Sequence, residues 1–294
     1  MLRYQLLRHR ALAYFALLLA VFIWGVNFNV VKQAMQSWEG QPFTFLAARF
    51  WLAAVIYAVL LTVRHRSASK AFSLPSAKVF QASIVGFVLA VGYGLQTWYL
   101  VKGGAVSAAF LTSTTVLWAP LLAFLVGQKF YFSTLIGGFV ALMGIFIMEV
   151  AHNDYGTAGW MDLVAVIAAV AFAIEILLVS RFAPREKSIL WTTISCLNVA
   201  VIMTILAITL ERWSWNPQNA APRIFAIIFT GVFATAIALG LQNWAQAQEI
   251  NGRKIIDGPR AAIISALEPV FTTLVSVFAL GFALPAKLAA GCFL

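Results

Sequence analysis

Charge is scarce in this chain. Asp, Glu, Lys and Arg make up 10% of 294 residues, against 62% hydrophobic ones. A soluble domain carries about a quarter charged residues, so too few are present to coat a water-facing surface. Cysteine is nearly missing too: Cys196 and Cys292 both fall in apolar segments, which indicates neither a disulfide framework nor a metal cluster. The three histidines, His9, His65 and His152, lie in loops or the N-terminal tail with no acid at metal-ligand spacing. Without a nucleophile–base pair or metal constellation an enzyme has nothing to work with. Gly127-Gln128-Lys129 lacks the upstream glycine and following Ser/Thr of a phosphate loop. No catalytic residue, metal or cofactor is expected.

What the chain has in abundance is apolar runs of bilayer length, with a mean hydropathy of +0.91. They fall at about 11–33, 43–63, 79–101, 105–126 and 132–150, then 160–182, 188–210, 223–247 and 260–280. A tenth begins near Pro285 and stops at Leu294, too short to cross, so the tenth helix is expected to be truncated. The basic stretch Met1 to Arg10 precedes a run that holds Trp24, Asn27 and Lys32 and lacks a small-residue cleavage site. It reads as a first membrane helix that stays, not as a leader.

The net charge of +10 sits mostly in short loops, which fits membrane topology and not nucleic-acid binding. Arg3, Arg8, Arg10, Arg64, Arg66, Lys70, Lys78, Lys129, Arg181, Arg185, Lys187, Arg253, Lys254 and Arg260 all fall on one side. That side should be cytoplasmic, with the N-terminus inside. A bacterial inner membrane is the expected location.

The chain also echoes itself. Gly94-Leu95-Gln96-Thr97-Trp98 returns 146 residues later as Gly240-Leu241-Gln242-Asn243-Trp244. Ala108-Ala109-Phe110-Leu111-Thr112 matches Ala261-Ala262-Ile263-Ile264-Ser265 at an offset of 153. The expected fold is all-α: a polytopic membrane protein of ten helices in two five-helix repeats, residues 1–151 and 152–294. Five is odd, so the second repeat enters from the opposite side. Such inverted repeats build many secondary transporters, with the substrate site at the repeat interface near the midplane.

Polar residues inside membrane helices are the candidates for that site. Glu175 lies 148 residues after Asn27, a repeat-related pair suited to ligand contact, proton carriage or an interhelical hydrogen bond. Gln96 and Gln242 turn inward, Tyr93 and Tyr99 flank the first, and Gln246 extends the face of the second. Gly94 with Trp98, and Gly240 with Trp244, are read as packing pairs at i and i+4. Trp24 and Trp118 share faces with Asn27 and Thr115, and either wall an aromatic pocket or anchor at the interface. Ser265, Glu268, Thr272 and Ser276 form one stripe; Glu268 either faces the cavity or caps and pairs near a loop. Arg49 either grips a carboxylate or locks structure. Trp38, Trp160, Trp213 and Trp215 read as interfacial belt residues. The substrate-binding candidates are therefore Trp24, Asn27, Tyr93, Gln96, Tyr99, Thr115, Trp118, Glu175, Gln242, Gln246 and Glu268.

The stretch Phe22-Ile23-Trp24-Gly25-Val26-Asn27-Phe28 through Lys32 resembles the first-helix signature of the drug/metabolite transporter superfamily, EamA-like branch. Pro42 followed by Ala47-Ala48-Arg49-Phe50, and Leu267-Glu268-Pro269-Val270-Phe271, are similar to its later motifs. The chain departs from it at Gly127-Gln128 and Gly281-Phe282, where the family often has Gly-Glu. The resemblance implies an exporter of small metabolites, commonly amino acids, closest to the aromatic amino-acid type. Quaternary amines or nucleotide sugars are the runner-up cargo, and a channel would need a filter or charged ring that is not evident. The expected partners are a small-molecule substrate and the lipid bilayer, with no nucleic acid, and the carrier is expected to be a monomer.

Overall fold

The computed structural model describes residues 2–64, 74–125, 136–140, 143, 160–212 and 217–280. Within them the chain is nearly all helix. The elements are α1 (Leu2–Ser37), α2 (Pro42–Arg64), α3 (Ser76–Lys102), α4 (Ala105–Ser113), α5 (Thr115–Leu125), α6 (Trp160–Phe182) and α7 (Ser188–Leu210). There follow α8 (Ala220–Phe229), a π-helical turn (Thr230–Ile237), α9 (Ala238–Ala247), α10 (Gly258–Ser265) and α11 (Glu268–Leu280). α4 with α5, α8 through α9, and α10 with α11 each form one longer span. Counted so, eight helices among the described residues are long and apolar enough to cross a membrane. Most of the expected segment at 132–150, the tenth helix, and the join at 151/152 lie outside the described residues.

One departure from an all-α chain is a small antiparallel hairpin, β1 (Glu249–Ile250) with β2 (Arg253–Lys254). Its turn is Asn251-Gly252, both at positive φ (52° and 71°), the residue pair that suits a two-residue hairpin loop.

Helix ends are closed by side chains from distant elements. Glu211 accepts hydrogen bonds from the backbone N–H of Phe43 (2.7 Å) and Thr44 (2.8 Å) and from the Thr44 hydroxyl (2.6 Å), satisfying the start of α2. Arg223 closes α1: its Nε donates to the Ser37 carbonyl at 2.7 Å and its fork meets Glu39 at 3.3 Å. Its guanidinium lies over Trp38, 5.1 Å from the ring centroid. Trp38 is thus buried under a cation, which corrects its reading as an interfacial belt residue. Trp160 is exposed at the start of α6, and Trp213 and Trp215 lie outside the described residues.

Close helix contacts follow from two glycines. A Cβ on Gly86 would lie 2.7 Å from the Ser195 carbonyl, so α3 and α7 meet backbone to backbone. One on Gly25 would crowd the backbone of Glu268 and Thr272, so α1 and α11 do the same. The packing has a pattern. α1 packs on α9 and α11, while α6 packs on α3 and on α4–α5. The first long helix of each half therefore sits against later helices of the other half.

Candidate functional site

A cavity opens where α1, α3, α4–α5, α6, α9 and α10–α11 converge, about 630 Å³ counted out to its mouth. Its walls come in pairs related by the sequence repeat. At an offset of 148, Trp24 matches Phe172, Asn27 matches Glu175 and Phe28 matches Ile176. At 146, Tyr93 matches Leu239 and Gln96 matches Gln242. At 153, Thr112, Ser113 and Thr115 match Ser265, Ala266 and Glu268. Among the described residues only Leu89 and Ala262 line the cavity without a partner that does so too.

Both spans that carry the third set of pairs are broken at the cavity. α4 gives way to α5 at Thr114, and α10 to α11 at Ala266-Leu267, equivalent places at the offset of 153. The causes differ. In the second half Pro269 has no N–H to give and its ring clashes with the preceding turn. In the first, four successive hydroxyls turn back onto carbonyls of the preceding turn. Thr112 donates to Ala108, Ser113 to Phe110, Thr114 to Leu111 and Thr115 to Thr112, each at 2.7 Å. Such back-bonding competes with regular helix.

The polar groups are arranged asymmetrically. The Glu175 carboxylate accepts from the Gln242 amide nitrogen at 3.0 and 3.2 Å, both residues being buried. Asn27 is buried, and its Oδ1 has no hydrogen-bond partner among the described residues. Neither hydrogen bond nor ion pair among them engages the Glu268 carboxylate. Among the described residues no Lys or Arg lines the cavity. Nearby loop cations go elsewhere, Lys254 to Glu249 (2.8 Å) and Arg260 to Asp257 (3.7 Å), so Glu268 lines the cavity and pairs with no loop residue among the described ones. The aromatic walls are held in place. Trp24 donates its indole N–H to the Ala234 carbonyl at 2.8 Å, and Tyr93 meets Phe172 edge to face at 5.3 Å.

Of the eleven candidates, Trp24, Asn27, Tyr93, Gln96, Thr115, Glu175, Gln242 and Glu268 line the cavity, and three do not. Tyr99 is buried at the end of α3 with its hydroxyl on Asp162 at 3.3 Å. Trp118 is half-buried in α5, packed against the apolar core. Gln246 is fully buried one turn beyond Gln242, with both ends of its amide unpartnered among the described residues. All three lie a turn past the cavity, where a rise of about 5.4 Å per turn is enough to miss it. The lower part of the Glu268 stripe also turns away. Thr272 donates to the Gly25 carbonyl and Ser276 to Asn29 Oδ1, both at 3.0 Å, fastening α11 to α1. Trp98 stacks edge to face on Trp160 at 5.7 Å, and Gly94 faces Met203 of α7. Among the described residues Arg49 grips no carboxylate: its Nε donates to the Thr235 hydroxyl at 2.6 Å. Phe172 and Leu239 are wall residues that polarity does not mark, although the offsets that link Asn27 to Glu175 and Gln96 to Gln242 reach them from Trp24 and Tyr93.

Known proteins fit this architecture. An uncharacterized transporter from Archaeoglobus fulgidus is 28% identical over 270 residues, covering 91% of this chain and 78% of that protein. A solved crystal structure superposes with a TM-score of 0.75 over 96% of this chain and 92% of its own, at 20% identity, a likeness of fold alone. The EamA-like transporter family matches twice, over residues 11–150 and again over 159–294. With a family unit in each half and the cavity walled by matched residues from both, the chain belongs to the EamA-like transporter family and is a multi-pass membrane transporter.

Proposed function

We propose that this transporter exports amino acids, aromatic or neutral ones, or similar small metabolites by alternating access through the cavity between its halves. The observation that carries the reading is the set of repeat-related pairs around one cavity, holding two carboxylates and, among the described residues, no cation. An α-ammonium group finds Glu268 and the free Asn27 Oδ1. The amide of Gln96 can donate to a carboxylate. Trp24, Tyr93 and Phe172 offer flat apolar surface. In this reading the protein has ten helices in two inverted five-helix units, is a monomer, and sits in a bacterial inner membrane with its N-terminus in the cytoplasm.

Glu175 is the proposed proton carrier, since a carboxylate bonded only to an amide can give up its charge without stranding a cation. The test is counterflow in liposomes against a panel of aromatic and small neutral amino acids. Uptake accelerated by unlabelled substrate on the far side supports a carrier; its absence removes the reading. Glu175→Gln should slow transport and flatten its dependence on pH. An unchanged pH profile would end the proton-carrier role. Thiol labelling should place positions 70 and 187 on the same side; opposite sides would undo the inverted arrangement. A second reading, quaternary amines as cargo, is favoured by the two acids beside aromatic rings, and the same panel with benzyltrimethylammonium separates it.

A further inference from the structure

Arg49 is 1% exposed in the middle of a span-length helix and lines no part of the cavity. Burying a guanidinium there is expensive and ordinarily answered by an acid. No acid pairs with it among the described residues, and one of its terminal nitrogens, Nη2, has no partner. What holds it is Thr235. That hydroxyl spends its proton on the Thr230 carbonyl, 3.0 Å away across the π turn, leaving a lone pair for Arg49 Nε. The guanidinium then rests over two rings, 4.9 Å from the centroid of Tyr93 and 5.4 Å from that of Phe50. The π turn also fixes the opposite aromatic wall through Trp24 on Ala234. Widened turns of this kind recur at functional sites.

We infer that Arg49 sets the cavity's preference for zwitterions over plain cations, by holding a positive charge against the face of Tyr93 that substrate cannot reach. This rests on the carrier reading above and narrows its substrate class. A guanidinium over one face of a ring occupies that face and opposes a second cation on the other. Its charge still acts through the ring, because the guanidinium is buried and the surrounding dielectric is low. The cavity thus has a positive end behind Tyr93 and a negative end at Glu175 and Glu268. A molecule carrying both an ammonium and a carboxylate can align with that field. An amine without the carboxylate is drawn by the acids and repelled by Arg49.

Phenylalanine and phenethylamine share ring and ammonium and differ in the carboxylate, which makes them the probes. Their dissociation constants are measured by calorimetry on the purified, folded transporter. The wild type should bind phenylalanine more tightly. Arg49→Met should shrink that preference about tenfold and Thr235→Val about threefold, while Arg49→Lys, which keeps a charge but not the planar fork, should shrink it less than Arg49→Met does. If Arg49→Met does not fold, the Thr235→Val ratio decides. Phenethylamine binding the wild type as tightly as phenylalanine overturns the inference and leaves the carrier intact. So does an unchanged ratio in folded Arg49→Met, or in Thr235→Val where that variant decides. If neither probe binds, the aromatic amino-acid reading falls and this inference with it.

Discussion

The two halves build the same frame and fill part of it with different chemistry. At matched positions the first half presents Asn27 and Thr115, the second Glu175 and Glu268. The first offers Trp24 and Tyr93 where the second has Phe172 and Leu239. Neutral, aromatic groups thus face acidic, plainer ones across a single cavity. Duplication supplies the shape, and divergence within it supplies direction: a substrate between identical walls would have no reason to prefer one orientation.

The sharpest way to break this comparison is to neutralise one member of a pair. Glu268→Gln makes the second half as uncharged at that site as the first, where Thr115 stands. If the carboxylate receives the substrate ammonium, transport should fall about thirtyfold, the worth of a charged hydrogen bond of about 2 kcal/mol. Thr115→Val should cost less than threefold, because its hydroxyl already bonds the Thr112 and Ala169 carbonyls. Equal effects in a liposome flux assay would show that the asymmetry has no functional weight.

The broken spans give a smaller contrast. In the second half the break depends on Pro269; in the first it is spread over four hydroxyls. Pro269→Ala lets the helix close through Ser265 and Ala266 and should slow transport about tenfold, the equivalent of about 1.4 kcal/mol, or roughly half of the 3 kcal/mol a proline costs a helix interior. Thr114→Val leaves three back-bonds and should change the rate less than twofold. Hydrogen exchange at residues 264–268 gives the structural readout: protection should rise in the proline variant and stay level in the other.

Most of this frame was legible in the sequence because apolar length and the repeat offsets are both countable. Asn27, Glu175, Gln96 and Gln242 could be found since each is polar in an apolar run and has a partner at a fixed offset. Phe172 and Leu239 escaped because they are apolar like everything around them, and only the offset distinguishes them. Tyr99, Trp118 and Gln246 were placed by extending a helical face, which fixes azimuth but not depth. The π turn left no readable trace: Thr230 to Ile237 is ordinary helix in composition, and Tyr57 from α2, like Trp24 and Arg49, reaches it only once the bundle is packed. Asn251-Gly252 is by contrast a legible signal, the residue pair that suits a two-residue hairpin turn.

Gln246 offers the finest test of the difference between the halves. Its repeat mate is Leu100, apolar and buried in the first half, whereas Gln246 buries an amide with neither end paired among the described residues. An unsatisfied buried polar group costs about 1–3 kcal/mol. Gln246→Leu copies the first half into the second with nearly the same volume, so the apparent Tm in detergent should rise by about 3 °C. If the amide is kept because it meets water or substrate when the carrier opens the other way, the same variant should transport more slowly despite its stability. A lower Tm would mean the amide is paired after all, and the halves would then differ only around the cavity itself.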